Sequence, residues 1–254
     1  MQGDTRQSGR AAQRPMPRMP MMTRRSSGAV LMLAAAMLVP RSVHAQATET
    51  STRIAGGGIS VAGWSGVVDA REATAGRTVT DAKFAAEGRG LKVTTGPAIT
   101  YWNAANRATG NYTVRATFTE ANFMGLNDHP HPYGIVIGGN DMGTPQASYM
   151  YCAVYGTGSF IARGMGPAPF QLNGRGEANA AIHKAAAKGA PVTQEIAVSV
   201  KGDKVECAVN GTVVGSYDRA ALLAAGRLKS LDGVWGVRFG HNTEATVTGL
   251  AMSR

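Results

Sequence analysis

The sequence predicts an all-β fold, one two-sheet antiparallel β-sandwich or jelly roll, and three observations carry that prediction. Apolar and polar residues alternate with a period of two in run after run of the chain beyond residue 59. Glycine, asparagine and aspartate punctuate the runs, with Asn210-Gly211 the clearest turn. Helical periodicity is slight, and roughly a dozen short strands in one domain of this size fill two packed sheets.

Ahead of the strands stands a leader. Arg24 and Arg25 supply its positive region and Gly28 to Val39 its apolar stretch. Pro40 then breaks the helix, and Val43-His44-Ala45 offers small residues where export leaders are cut. Twelve apolar residues would rise only about 18 Å as a helix, too short for a ~30 Å hydrocarbon core, so stable membrane insertion is not expected. The expectation is a periplasmic or secreted protein, cleaved after Ala45, with Met22 as the start of an ordinary leader. Residues 46–58 then form a flexible mature N-terminus and residues 59–254 a single β-sandwich domain.

The leader also accounts for most of the basicity. Seven of the 26 Lys and Arg and one of the 16 Asp and Glu lie in residues 1–45, leaving +4 of the formal +10 for the rest. Those remaining basic residues are scattered singly rather than clustered, so nucleic acid is not an expected partner.

The elements follow in order. Tyr112, Val114, Ala116 and Phe118 fall on one face of a strand at 111–119, with Thr113, Arg115, Thr117 and Thr119 on the other. Residues 148–155 set Met150, Cys152 and Val154 against Tyr149, Tyr151 and Tyr155, and Gly156-Thr-Gly158 turns into a partner strand at 159–163. Residues 194–200, a Lys201-Gly-Asp-Lys204 turn, 205–209, Asn210-Gly211 and 212–217 read as three consecutive antiparallel strands, because Asn-Gly accepts the positive φ angles of a type I′ turn. Asp218 is placed to cap a short helix through Leu222 and Leu223, ended by Gly226. The Ala-rich residues 179–188 have helical propensity without an apolar stripe. Two last strands, 234–239 and 245–252, close the chain.

These residues carry a resemblance. Tyr133-Gly-Ile-Val-Ile-Gly-Gly139, the Tyr-rich strand at 148–155, Val209-Asn-Gly-Thr-Val-Val214, Gly233-Val-Trp-Gly-Val-Arg-Phe-Gly-His241 and Val247-Thr-Gly-Leu250 resemble the concanavalin A-like (laminin G-like) jelly rolls. More narrowly, they look like exported bacterial domains of unknown function related to the 3-keto-disaccharide hydrolase type. The resemblance spans most of residues 60–252 and rests on turns and buried strands, so it specifies fold and transfers no catalytic residue. It implies a curved sandwich whose concave sheet often binds glycans.

Candidate sites follow from side-chain chemistry. Cys152 and Cys207 lie on apolar strand faces. If residues 148–209 form one meander, their strands stand about three spacings, roughly 14 Å, apart. A disulfide needs Cα atoms within ~7 Å, so two buried thiols are expected. His129-Pro-His131-Pro could turn both imidazoles one way, and His241 could join them, but nothing in the sequence brings His241 near and no metal is expected. Glycoside hydrolysis needs two facing carboxylates, and only Glu195 and Glu206, on the polar faces of neighbouring strands, could pair. No nucleophile elbow, Cys-x-x-Cys, haem motif or phosphate loop is present, and no cofactor is expected.

The best candidate is the polar face of the meander's Tyr-rich strand: Tyr149 and Tyr151, with Arg163 on its neighbour and Arg115 on an earlier strand, and His131 and His241 as further ligand contacts. Tyrosine rings stack on sugar C–H faces while arginines fix hydroxyls. The expected function is therefore non-catalytic binding of a carbohydrate or cell-surface glycan. A glycoside hydrolase or lyase is the alternative, and a structural protein-binding sandwich a further one.

Overall fold

The computed structural model describes residues 50–254 apart from Arg175. The leader, its cleavage site and residues 46–49 lie outside the described residues. In chain order the strands are β1 (Gly58–Ile59), β2 (Trp64–Val68), β3 (Lys83–Glu87), β4 (Gly90–Thr94), β5 (Ile99–Ala108), β6 (Tyr112–Glu120), β7 (Tyr133–Asn140) and β8 (Ser148–Tyr155). They continue with β9 (Ser159–Met165), β10 (Phe170–Gln171), β11 (Glu177–Ala178), β12 (Val192–Lys201), β13 (Lys204–Val209), β14 (Thr212–Asp218), β15 (Gly233–Phe239) and β16 (Glu244–Ser253). Two helices of about one turn, α1 (Ala70–Thr74) and α2 (Arg219–Leu222), and a 3-10 turn at Val79–Asp81 complete the elements.

The strands form two sheets. The first runs β1-β3-β4-β16-β6-β12-β13-β14, and the second β10-β9-β8-β7-β15-β5-β2 with β11 also paired to β9. Every pairing is antiparallel except that of β1 with β3. The chain is thus a two-sheet antiparallel sandwich, the jelly-roll class read from the sequence.

Alternation explains the core. Tyr112, Val114, Ala116 and Phe118 of β6 turn inward to meet Tyr133, Ile135 and Ile137 of β7 and Met150, Cys152 and Val154 of β8 from the opposite sheet. Asn210 and Gly211 both hold positive φ, +48° and +81°, and the β13–β14 hairpin closes on them as their side chains dictate. The hairpin delivers Val205, Cys207 and Val209 to the same core.

Two local expectations change. Asp218 occupies the N-cap position of α2 without a side-chain capping bond, and the helix stops at Leu222. Asp218 instead pairs with Lys204 across the β13–β14 hairpin. Residues 179–188 form turns, because the buried Gln194 amide claims the backbone of His183 at both its N–H (3.1 Å) and its carbonyl (2.7 Å). A helix cannot use groups already bonded to a side chain.

The larger correction concerns the cysteines. Cys152 and Cys207 form a disulfide, with Cα atoms 6.2 Å apart. The expectation of two thiols assumed one meander, but β8 lies in the second sheet and β13 in the first. The two strands face one another across the core instead of standing side by side, and that distance suits a disulfide.

Candidate functional site

The outer face of the second sheet carries a cluster of side chains that a solvated sheet face would not need. Cross-strand register lines up Arg163, Tyr151, Val136, Gly236 and Trp102 in one row, from β9 through β8, β7 and β15 to β5. The next row holds Ile161, Ala153, Gly134, Arg238 and Thr100. Gly134 is required there: a Cβ at this position would sit 1.9 Å from the Cys152 carbonyl oxygen.

Arg238 anchors the cluster. Its guanidinium donates to both carboxylate oxygens of Asp69, at 2.7 and 2.6 Å, and to the Thr100 hydroxyl at 3.0 Å. Thr100 in turn donates to the Tyr149 hydroxyl at 3.2 Å. The guanidinium carbon lies 4.8 Å from the centroid of the Tyr151 ring, a cation–π contact. Burial works against the charge on Arg238, but the facing Asp69 carboxylate more than offsets it and holds the ionisation well above the usual arginine range. Burial likewise raises the Tyr149 phenol above its ordinary value, keeping it a neutral donor and acceptor.

Tyr149 and Tyr151 are 4% and 3% exposed, and with Val136, Ala153 and Ile161 they form a second apolar cluster bordered by Met142, Tyr155 and Met165. Their face is therefore amphipathic rather than purely polar. Arg163, opposite Tyr151, keeps a buried Nε that finds no acceptor.

The structure brings together only some of the residues singled out from sequence. Tyr149, Tyr151 and Arg163 share this face. Arg115 does not: it is exposed on β6 in the first sheet, paired with Ala197, because β6 belongs to the opposite layer. His131 and His241, separated in sequence, meet ring to ring with centroids 3.8 Å apart, since Pro132 and Gly240 bond where β7 begins and β15 ends. Ser51 joins them, its Oγ 3.4 Å from His241 Nδ1 while it donates to Glu72. Among the described residues no group of three or more His, Cys, Asp or Glu is placed to hold a metal ion.

Glu195 and Glu206 do not face each other. On β12 and β13, Glu206 lies opposite Ser199, whereas the Glu195 backbone bonds to Asn210 beyond the end of β13. Four residues along a strand is about 13 Å. Glu206 is paired with Lys201 at 2.9 Å, and Glu195 is exposed.

Sequence reasoning missed Arg238, Asp69 and Thr100. One signal was present: Arg238 is the sole charged residue in the otherwise apolar run Val234–Phe239.

A two-sheet antiparallel jelly roll of the concanavalin A-like type is the class that strand order and layer packing define. Of the solved structures that follow, the first agrees in fold. A carbohydrate binding module from Bacillus subtilis superposes with a TM-score of 0.50 at 9% identity, covering 78% of this chain and 99% of the module. A Bacillus subtilis protein of unknown function with a galectin-like fold gives 0.48 at 10% identity, covering 74% and 88%. The laminarinase catalytic domain from Thermotoga maritima gives 0.41 at 13% identity, covering 76% and 84%. No family model and no curated protein sequence matches the chain. At these identities the likeness is one of fold.

Proposed function

We propose that this protein is an exported domain that binds a carbohydrate or cell-surface glycan without transforming it, through the outer face of the second sheet. The observation that carries the reading is the Arg238–Asp69 pair seated over the Tyr151 ring, with Tyr149 and Arg163 beside it. Fixed aromatic rings with oriented guanidinium donors are what a sugar's C–H face and hydroxyls require. The fold shared with a carbohydrate binding module from Bacillus subtilis supports the same class of ligand. Hydrolysis by Glu195 and Glu206 is not carried forward, because about 13 Å exceeds the 6.5–9.5 Å an inverting pair uses.

The reading requires the buried Tyr149 and Tyr151 to become accessible when a glycan binds. The described chain joins the domain at this end of the second sheet. Asn242, in the turn after β15, accepts from the Thr52 N–H at 2.8 Å, and Ser51 bonds Glu72 of α1, three residues beyond Asp69.

On a glycan array, the chain cut after Ala45 should retain at least one glycan. Tyr151→Ala should weaken that interaction about tenfold, roughly 1.4 kcal/mol, while the protein still melts cooperatively. An array that stays blank for the cut chain would sink the proposal, and equal affinity in the variant would move the site elsewhere.

A further inference from the structure

A cavity of about 250 Å³ opens between the two sheets, lined by Trp64, Arg89, Leu91, Asn106, Trp235 and Leu250 among others. Trp64, Asn106 and Trp235 come from β2, β5 and β15 of the second sheet, and Leu91 and Leu250 from β4 and β16 of the first.

Two irregularities in the ladders make this opening. Where β15 pairs with β5, Val234 lies opposite Arg107 and Gly236 opposite Trp102, so residues 103–106 stand against Trp235 alone. Where β16 pairs with β6, Thr248 lies opposite Thr117 and Ala251 opposite Arg115, so Gly249 and Leu250 stand against Ala116 alone. Bulges of this kind re-aim side chains and end pairing, and they collect beside binding sites. Here both fall at the same mouth, one on each sheet, and they deliver Asn106, Trp235 and Leu250 to it.

The lining has a definite chemistry. The Trp64 ring is fixed by Phe84, with centroids 4.9 Å apart, and still borders the cavity. Trp235 is 9% exposed, and its indole N–H is shut from solvent without any acceptor. A buried donor left unpaired costs free energy, which an acceptor brought by a ligand would recover. Asn106 adds an amide and Arg89 a cation at the rim, and no carboxylate lines the space. The volume is below the range of sites that enclose drug-sized ligands, so it suits one ring rather than a chain of them.

We infer that this cleft is a second sugar site, taking the terminal ring of a neutral glycan, with Trp64 as stacking wall and the Trp235 N–H as donor. The class of ligand rests on the glycan-binding reading above, whereas the location rests on the cavity, the paired bulges and the unpartnered indole.

The three tryptophans, Trp64, Trp102 and Trp235, give three indole N–H signals in the ¹⁵N-labelled protein, assigned from single Trp→Phe variants. The probes are the methyl glycosides of glucose, galactose, mannose, N-acetylglucosamine and fructose. The expected result is that one of them shifts the Trp64 and Trp235 signals saturably, and that Trp235→Phe weakens this binding about fivefold while leaving the glycan-array response in place. A sugar that moves only the Trp102 signal, from the outer face, overturns the cleft and leaves the proposed function standing. Unmoved Trp64 and Trp235 signals beside a positive array do the same. Unmoved signals together with a blank array overturn both.

Discussion

Replacing Cys152 and Cys207 by alanine together is expected to lower the melting temperature by about 8–16 °C. The cross-link joins the two sheets and closes a loop of 55 residues in sequence separation. In the chain-entropy account, opening a loop of that length releases about 4 kcal/mol to the unfolded state. In a domain of this size each kilocalorie moves the midpoint by about 2–4 °C. Both residues are fully buried between the layers, so a reductant should reach them only when the sandwich opens. Three circular-dichroism melts decide the matter: the oxidised protein, the same protein reduced while unfolded and then refolded, and the double alanine variant. The last two should coincide well below the first. If all three superimpose, the bond contributes nothing to stability and the sheets are held by packing alone.

The cysteines also show where sequence stops being legible. Period-two alternation identified the apolar faces of β6, β8 and β13 correctly, and Cys152 and Cys207 do point into the core. Alternation says nothing about which sheet a strand joins, because a strand buried on one face reads identically in a meander and across a sandwich. The partition was decided by pairings remote in sequence: β7 with β15, β6 with both β12 and β16. The same long-range pairing brought His131 to His241 and put Arg115 on the far layer from Tyr151. By contrast, the turn of the β13–β14 hairpin was legible, since Asn210-Gly211 dictates its own backbone.

Some of the site was written in the sequence more plainly than alternation suggests. The two-residue Gly202-Asp203 turn fixes every pair between β12 and β13, and by that register Glu206 meets Ser199 while Glu195 passes beyond Val209. A single arginine in the apolar run of β15 pointed to a buried partner, which proved to be Asp69, 169 residues away. Only the identity of that partner required the fold. Trp235 was hidden differently: its alternation places it in the core, and the bulge that leaves its N–H unpaired has no signature in its own strand.

Glu120 supplies the other large effect, and its sign is opposite to that of an ion-paired carboxylate. It closes β6 at 5% exposure, with Oε1 accepting the Met124 N–H at 3.2 Å and Oε2 buried without a donor. Burial pushes its pKa up to about 7, which the Met124 bond only partly opposes. Nearby, the buried Tyr133 hydroxyl is also unpartnered, and burial followed by the Glu120 charge raises its pKa further. Between the unfolded value near 4.5 and about 7, the folded protein holds a proton that the unfolded chain has released. Stability is then complete below pH ~4.5 and is lost as pH rises through ~7, by up to roughly 3 kcal/mol. Glu120→Gln keeps an acceptor for Met124, whose positive φ of 57° depends on the turn staying closed, and removes the ionisation. The variant should match the wild type in urea unfolding at pH 5, exceed it at pH 8, and show a flatter profile between. Parallel profiles for the two proteins would mean that Glu120 ionises in the folded state without penalty, and that its second oxygen reaches water or a donor after all.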